Sequence, residues 1–445
     1  MSATAMQEPV RTYYQEPLTQ SQPGTHSPSD FNSPNQAQQP LMPSTNPYDN
    51  LDAPRNSDWL EKTQRSNKRS KFLVIGAVLT LAVLIAVGVS VGVVLSKKNS
   101  NNDTSSSGGS ASPTSTGIPT GTNPNDPSNF PKNPALKQSF YGIAYTPLGS
   151  QLPDCGSSLT EVIEDIQLLS QLTTSIRLYG ADCNQSSLVL AAIQATQVNM
   201  GVYLGNYPAV DDNGTAYERQ RGEIQTALQT YGASNVLGVT VGNEFILDYI
   251  TEAGQTDPNG SAGQQAAAML IPWIQDTRSM LASLNLGKTL PVGNADAGSY
   301  FNTQVLEAVD YGMSNVHPWF ANQSITDAAA WTASFFQTTN ADFAATLPNN
   351  PKMYIAETGW PTNTSQFNYN PNDGVSLASV PNLQIFIDTF VCQGECSNQN
   401  GTGYFFFEYC DEPWKATTYG GVEGYWGLFD SNKNFKNLTI PTCSI

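Results

Sequence analysis

The sequence predicts an α/β fold, a (β/α)8 TIM barrel, for residues 138–445. Eight short apolar segments alternate there with amphipathic helical patterns, which is typical of a parallel sheet covered on both faces, and eight parallel strands close into a barrel. Two of the apolar segments end in a glutamate, at Glu244 and Glu357. The alternative is an open doubly wound sheet, but no Gly-rich phosphate loop opens any of the predicted helices.

The segments before the barrel are predicted to be a tail, a membrane span and a stalk. Residues 1–71 are a disordered cytoplasmic tail, since the first 60 are rich in Pro, Gln, Ser and Asn and offer too little apolar surface to fold. Phe72–Leu95 is a run of 24 residues without a charge, long enough for one transmembrane helix that is not cleaved. Residues 96–137 form a Ser/Thr/Gly/Pro-rich stalk, with 14 Ser or Thr among residues 96–130.

Flanking cations predict the orientation of the span. Five cations precede it and two follow it: Lys62, Arg65, Lys68, Arg69 and Lys71, then Lys97 and Lys98. The positive-inside rule therefore predicts a single-pass type II protein of the plasma membrane, with the barrel outside at the cell wall.

Cysteines and glycosylation sequons agree with an external domain, because an oxidising, glycosylating compartment suits both. All six cysteines follow the span: Cys155, Cys183, Cys392, Cys396, Cys410 and Cys443. The eight sequons also follow it, at Asn102, Asn184, Asn213, Asn259, Asn322, Asn363, Asn400 and Asn437. Cys155 and Cys183 follow the first two strands and are compatible with one disulfide, and Cys410 is compatible with another to Cys443. Six cysteines allow fifteen pairings, and the sequence does not choose among them.

The predicted barrel elements occur in chain order. The eight strands are Phe140–Thr146, Ser175–Tyr179, Met200–Gly205, Leu237–Gly242, Leu290–Gly293, Asn315–Phe320, Met353–Ala356 and Gly403–Glu408. The clearest helical patterns are Leu159–Leu172, Tyr217–Tyr231, Ala266–Leu284 and Leu383–Val391.

Charge and composition narrow the ligand. Residues 138–445 hold 9 Lys plus Arg and 28 Asp plus Glu, a net charge of −19, so the surface repels nucleic acid and anionic polymers. A neutral polysaccharide or a peptide remains compatible. His317 is the one histidine in this range, which disfavours a His-based zinc site or a Ser-His-Asp triad. We therefore expect no metal site. We also expect no cofactor and a monomeric protein. His317 is expected to be a hydrogen-bonded structural residue that lines the cleft.

The two strand-terminal glutamates suit carbohydrate chemistry. Glu357 lies in Ala-Glu-Thr-Gly-Trp-Pro, and Glu244 ends Val-Gly-Asn-Glu. A retaining glycosidase needs two carboxyl groups about 5–5.5 Å apart, and strands four and seven of a barrel face each other across its mouth. Together with Tyr-Gly-Ile-Ala-Tyr at the first strand and Ile-Arg-Leu-Tyr-Gly at the second, these motifs resemble glycoside hydrolase family 17, the β-1,3-glucanases.

The resemblance covers roughly residues 138–440 and is greatest to fungal membrane-anchored members acting on cell-wall β-glucan. It implies that Glu244 is the acid/base and Glu357 the nucleophile, so Glu244 should begin protonated with a raised pKa and Glu357 should be ionised. Asn243 is expected to bind the sugar 2-hydroxyl. Members carry an acidic residue and a lysine near the last strand, for which Glu408, Glu412 and Lys415 are candidates.

Aromatic side chains near strand ends are candidates for stacking on glucan, with core packing as the alternative for each. They are Tyr145, Tyr179, Trp319, Phe320 and Trp360. The expected activity is endo-hydrolysis of β-1,3-glucan. Transglycosylation uses the same two glutamates and stays open, and a non-catalytic glucan-binding wall sensor is the alternative from another class.

Overall fold

The structure is a computed structural model that describes residues 126–365, 376–392 and 401–443. The predicted tail, span and most of the stalk lie outside these residues, as do Cys396 and the sequons at Asn102 and Asn400. None of the helices within the described ranges is long and apolar enough to cross a membrane.

Eight parallel strands form a closed barrel in sequence order, with the first strand paired to the last. The strands are β1 Gly142–Ala144, β2 Ser175–Arg177, β3 Gly201–Asn206, β4 Val236–Asn243, β5 Val292–Ala297, β6 Tyr311–Asn315, β7 Lys352–Thr358 and β8 Tyr404–Phe406. The predicted barrel is thus confirmed. We call the carboxyl ends of the strands, with the loops that follow them, the mouth.

Helices cover the outside of the barrel. They are α1 Leu159–Leu169, α2 Gln185–Thr196, α3 Thr215–Tyr231, α4 Phe245–Glu252, α5 Ser261–Ser283, α6 Thr303–Glu307, α7 Ala328–Phe335, α8 Asp342–Ala345, α9 Val380–Phe390 and α10 Pro413–Thr418. All four predicted helices are present. The first begins with a capping box, in which the Glu161 carboxylate accepts the Ser158 N–H at 3.0 Å and the Ser158 hydroxyl accepts the Glu161 N–H at 3.3 Å.

Large aromatic side chains fill the centre of the barrel. Tyr203, Tyr311, Tyr354 and Phe405 come from four different strands and pack together with ring centroids 5.3–6.1 Å apart. Their edge-to-face and tilted contacts are those that aromatic quadrupoles prefer. The interior is therefore packed below the mouth, and any polymer must bind across the top.

One predicted strand is misplaced. Asn315–Phe320 was expected to be the sixth strand, but β6 is Tyr311–Asn315, and only its last residue belongs to the expected segment. Val316 and Trp319 are buried nonetheless, because the loop after β6 folds back against the core instead of extending the sheet. An apolar run alone does not distinguish these two kinds of burial. The other seven predicted strands overlap the observed ones.

The disulfides agree with the sequence in one case and differ in the other. Cys155 and Cys183 are bonded, which ties the loops after β1 and β2 together as expected. Cys443 is bonded to Cys392 at the end of α9, so the expected Cys410–Cys443 bond is wrong. Cys410 is a buried thiol beside β8, whereas the C-terminal segment runs down the barrel to its opposite end, where Ser139 donates to the Pro441 carbonyl.

The chain enters the barrel at the end opposite the mouth. The Gln167 side chain donates to the Pro127 carbonyl at 2.8 Å, and Gln138 donates to the Ser170 carbonyl at 3.0 Å. Both contacts are to the last turn of α1 or the residue after it. The mouth therefore points away from the entering segment.

Candidate active site

Glu357, near the end of β7, is a buried carboxylate with two strong partners. Arg177 Nη1 donates to its Oε1 at 2.9 Å, and His317 Nε2 lies 3.0 Å from its Oε2. Burial by itself would raise the pKa of Glu357, but the hydrogen bond from His317 and the charge of Arg177 outweigh burial and lower the pKa to about 2. Glu357 is therefore ionised across the range in which a folded enzyme works.

Arg177 ends β2 and connects strands on opposite sides of the barrel. Its guanidinium is buried and also donates from Nη2 to Asn243 Oδ1 at 2.6 Å and from Nη1 to the Ala356 carbonyl at 3.2 Å. The Tyr179 ring covers the guanidinium at 4.4 Å. An arginine fixed by this many contacts is a rigid, permanently charged clamp on Glu357.

Glu244 lies directly after β4 and turns the chain into α4. Its backbone is left-handed, with φ of 56°, and it follows Gly242 at φ of 90°. The Glu244 N–H donates to the Ala295 carbonyl of β5 at 3.1 Å. Asn315 Nδ2, at the end of β6, donates to Glu244 Oε1 at 3.1 Å. These contacts hold a buried carboxyl group at the mouth.

A continuous chain of hydrogen bonds joins the two glutamates. Asn315 contacts both Glu244 and the Oδ1 of Asn243, the latter at 3.4 Å, and Arg177 contacts both Asn243 and Glu357. We call these five residues the active-site network. The expected convergence of Glu244, Asn243 and Glu357 at one site is thus present in the structure.

The arrangement provides two carboxyl groups with different surroundings. Glu357 is matched to a cation and a histidine, whereas Asn315 contributes a neutral donor to Glu244. Unequal environments are what separate a nucleophilic carboxylate from an acid/base carboxyl group. Among residues 126–365, 376–392 and 401–443, no group of three or more His, Cys, Asp or Glu side chains is arranged to hold a metal ion.

The three candidates after β8 form one buried ion cluster. Lys415 Nζ lies 2.9 Å from Glu408 Oε2 and also pairs with Glu412. Burial first, and then the Glu412 charge, raises the pKa of Glu408 well above its usual range. Burial would lower the pKa of Lys415, but the two glutamates raise it, so the lysine is charged. Lys415 also lies 4.7 Å from the centre of the Phe407 ring.

Three of the five aromatic candidates are fully buried, so a stacking role for them is wrong in this structure. Trp319 and Trp360 pack edge to face at 5.2 Å, and the Trp360 indole donates to the Leu377 carbonyl at 3.0 Å. The Tyr145 hydroxyl donates to Asp165 at 2.8 Å. These rings support the floor of the site, because a ring without an exposed face cannot stack on a sugar.

Two aromatic candidates remain half-buried near Glu357. Tyr179 covers Arg177, and Phe320 lies 5.7 Å from Trp426 and 5.9 Å from His317. His317 itself is buried among rings and contacts Glu357, so the expected structural histidine is a positioning residue for the candidate nucleophile.

Sequence reasoning missed two members of the active-site network. Arg177 enters the sequence prediction only as part of a motif, although a cation in the otherwise neutral strand Ser-Ile-Arg is a signal for a buried ion pair. Asn315 is predicted to begin a strand, whereas it ends β6 in register with Glu357 on β7. Its role depends on cross-strand register, which a single sequence does not display.

Comparisons with known proteins agree with this site. A family model described as the BtgE/BtgC glycoside hydrolase domain matches residues 142–427. The putative glucan endo-1,3-beta-glucosidase btgC of Aspergillus niger is 37% identical over 325 residues, covering 70% of this chain and 45% of the relative. The glucan endo-1,3-beta-glucosidase btgC of Emericella nidulans is 34% identical over 322 residues, covering 69% of this chain and 47% of the relative. The chain thus spans about half the length of the curated relatives it matches.

Solved structures with a similar fold include two of one fungal enzyme. The glycoside hydrolase family 17 β-1,3-glucanosyltransferase of Rhizomucor miehei is 27% identical with a TM-score of 0.53, covering 68% of this chain and 98% of that structure. An active-site mutant of that enzyme in complex with laminaritriose is 26% identical with a TM-score of 0.53, covering 69% of this chain and all of that structure.

Proposed function

Because this chain belongs to the BtgE/BtgC glycoside hydrolases of family 17, we propose that it cleaves β-1,3-glucosidic bonds of cell-wall β-glucan with retention of configuration. The observation that carries this proposal is the active-site network, which joins an ionised Glu357 on β7 to Glu244 after β4. The relatives named for glucan endo-1,3-beta-glucosidase activity and the structure that contains laminaritriose support the same substrate class.

The first step forms a covalent glycosyl-enzyme. Glu357 Oε attacks the anomeric carbon while the protonated carboxyl group of Glu244 gives its proton to the departing glucosidic oxygen. Asn243 Oδ1 accepts hydrogen bonds from Arg177 and Asn315, so the hydrogens of Asn243 Nδ2 are the ones presented to a sugar hydroxyl. A hydrogen bond to the 2-hydroxyl would strengthen in the transition state.

The second step releases the sugar. The Glu244 carboxylate now takes a proton from water, and the water oxygen attacks the anomeric carbon as the bond to Glu357 breaks. Arg177 and His317 stabilise the carboxylate that departs. Net retention follows from two displacements at one carbon.

A Glu357→Gln variant tests the nucleophile. It should fold normally and lose hydrolysis of linear β-1,3-glucan, since an amide does not form the covalent intermediate. Glu218→Gln, at an exposed position on α3, is the matched control and should keep wild-type turnover. Product sizing from residues 126–445 incubated with linear and mixed-linkage glucan gives the readout. Full turnover by the Glu357→Gln variant would refute the proposal.

Transglycosylation is the second candidate, favoured by the similarity to a glucanosyltransferase. In that reaction an acceptor sugar takes the place of water in the second step, and all residues of the active-site network keep their roles. Elongated oligosaccharides at high substrate concentration would identify transfer, whereas products that are only shorter than the substrate would identify hydrolysis.

We further propose that the protein is a type II plasma-membrane enzyme with a glycosylated outer domain. The cations before residue 72 support it, and so does the exposure of all six sequon asparagines in the described ranges. Four of these asparagines lie in loops at the mouth, and a fifth, Asn259, accepts from the first N–H of α6 at 2.9 Å. The four are Asn184, Asn213, Asn322 and Asn363.

An N-terminal epitope tag and glycopeptide mapping test this placement. The tag should be reachable only after cells are permeabilised, and glycans should occur only after residue 95. A mature protein that starts near residue 96 would make the enzyme secreted and contradict the anchor, while leaving the catalytic proposal intact.

A further inference from the structure

Asp296 is a buried carboxyl group beside Glu244 that the proposed mechanism does not use. It is the fifth residue of β5 and has no exposed surface. The β4–β5 register places Asn243 opposite Ala295, one residue before Asp296. From there Asp296 Oδ2 accepts the N–H of Ile246 at 3.0 Å, and Oδ1 accepts the N–H of Ala297 at 2.9 Å.

These contacts place Asp296 under the turn that Glu244 makes. Ile246 is two residues after Glu244, in the first turn of α4, and Glu244 itself is held to Ala295 by its own N–H at 3.1 Å. Asp296 therefore ties the first turn of the helix that follows Glu244 to β5. This geometry fixes the left-handed backbone on which the Glu244 side chain depends.

The groups around Asp296 are acidic or neutral. Glu244, directly after β4, and Asp248, in α4, act on it with negative charge, and Tyr300, from the loop after β5, is a further titratable neighbour. Within the part of the chain that the structure describes, no lysine, arginine or histidine forms an ion pair with it. Burial, and then the charge of Glu244, raises the pKa of Asp296 well above its usual range.

Another side of Glu244 contacts the neutral amide of Asn315. Asn315 is an amide donor, and the positive charge of Arg177 is directed to Glu357 and Asn243. Two carboxyl groups that interact in this way titrate as a pair. Loss of the second proton is unfavourable because it leaves both groups negatively charged. The pair therefore keeps one proton to a higher pH than either group would alone. Both Asp296 oxygens already accept backbone N–H bonds, which favour the ionised form of Asp296 and leave the proton of the pair on Glu244.

We propose that Asp296 is the positioning residue that keeps Glu244 protonated at working pH, through one proton held by the Glu244–Asp296 pair. This inference rests on the proposed function, since it assigns the source of the acid that the first step requires. It gives a role to a buried carboxyl group that forms no ion pair with a cation among the described residues. The alternative is that Asp296 only supports the fold through its two backbone contacts.

A pH profile of Asp296→Asn separates these two roles. The fall of kcat/KM at high pH, which we call the upper limb, should move down by about one pH unit or more. A like charge raises the pKa of a neighbouring carboxyl group by about that amount. At neutral pH kcat should fall on glucan with little loss on an aryl glycoside whose leaving group needs no proton. Loss of activity with the limb unmoved would overturn the proposal in favour of a structural role.

Asp310→Asn is the matched control. Asp310 also accepts a backbone N–H of β5, from Val292 at 2.8 Å, but at the opposite end of the strand and paired with Arg278. This variant loses the same charge and the same kind of hydrogen bond without facing Glu244. Its upper limb should stay at the wild-type position; an equal shift in both variants would overturn the proposal.

A second variant keeps the inference testable if Asp296→Asn does not fold. A raised folded-state pKa means that the folded protein binds a proton that the unfolded chain releases, so stability falls as pH rises from about 4 through the upper pKa of the pair. Glu244→Gln removes the coupling, and its melting temperature should fall less over that range. Parallel melting profiles would contradict the coupling. The melting temperature can be measured without catalytic turnover. An inactive wild-type protein would therefore refute the proposed function, while the melting profiles would still test the Glu244–Asp296 pair.

Discussion

Replacing His317 by phenylalanine should make Glu357 easier to protonate. The pKa of Glu357 is about 2 in the folded protein against an ordinary value of 4.5, and the hydrogen bond from His317 is the first of the effects that lower it. A hydrogen bond to a charged group contributes about 1.5–3 kcal/mol, and a pH unit corresponds to about 1.4 kcal/mol, so its loss should raise this pKa by about 1–2 units. Phenylalanine keeps the packing against Phe407 and Trp426, whose rings lie 5.2 and 5.0 Å away.

The acid limb of kcat/KM measures this change on a soluble β-1,3-gluco-oligosaccharide between about pH 2.5 and 7. In the wild type, protonation of Glu357 should not reduce kcat/KM above about pH 3. In His317→Phe, kcat/KM should begin to fall at a pH about 1–2 units higher than in the wild type. His317→Gln, which retains a donor, should restore most of the wild-type profile. Trp426→Phe is the packing control and should leave the limb unmoved. A folded His317→Phe protein with the wild-type limb would refute the reasoning.

The pH dependence of folding stability should also change when the pKa of Glu357 is raised. A carboxylate whose folded-state pKa is depressed stabilises the fold above its unfolded pKa and loses that contribution as the pH falls through the folded value. For Glu357 this window runs from about 4.5 down to about 2. In His317→Phe the melting temperature should therefore depend less on pH within this window.

Three further predictions concern the acid, the C-terminal disulfide and a close backbone contact. Glu244→Ala should lose glucan hydrolysis but keep a first step on substrates with a very good leaving group, and added azide should give a β-glycosyl azide; an α-product would contradict retention. Removing Cys392 and Cys443 together opens a loop with a sequence separation of 51 residues and should lower the free energy of unfolding by about 4 kcal/mol, measured by denaturant titration in parallel with the wild type; no change would refute a stabilising bond. Gly205→Ala should be strongly destabilised, by about 3 kcal/mol or more, because a Cβ there would lie 2.3 Å from the Tyr179 backbone; an unchanged melting temperature would contradict this.

The barrel and the two glutamates could be predicted from the sequence, and the reasons are physical. Strands buried on both faces are mostly apolar, so a carboxylate at their ends stands out, as Glu244 and Glu357 do. Helices such as α3 carry a periodic pattern that needs no tertiary information. The misplaced sixth strand shows the limit, since Tyr311 and Met313 pack in the centre of the barrel but alternate with Gly312 and Ser314, so the strand has no continuous apolar run.

The rest of the site depends on contacts between distant strands. Arg177 and Glu357 are 180 residues apart in sequence, and their pairing requires the closed barrel. Asp296 lies beyond the predicted end of the fifth strand, and its proximity to Glu244 follows from register. Trp360 illustrates the opposite error, because its position next to a catalytic candidate predicts a ring that faces the substrate, whereas the ring packs inward.

The buried pairing of Arg177 with Glu357 has a consequence for the lifetime of the proposed intermediate. When Glu357 becomes an ester it loses its negative charge, and the guanidinium beneath it is left as a buried cation without its counterion. Removing one partner of a buried ion pair is unfavourable by about 3–5 kcal/mol, so the ester is raised in energy relative to the ionised carboxylate. Arg177 thereby makes Glu357 a better leaving group in the second step, and the covalent species should accumulate in a variant where arginine is replaced by a neutral side chain that still supports folding.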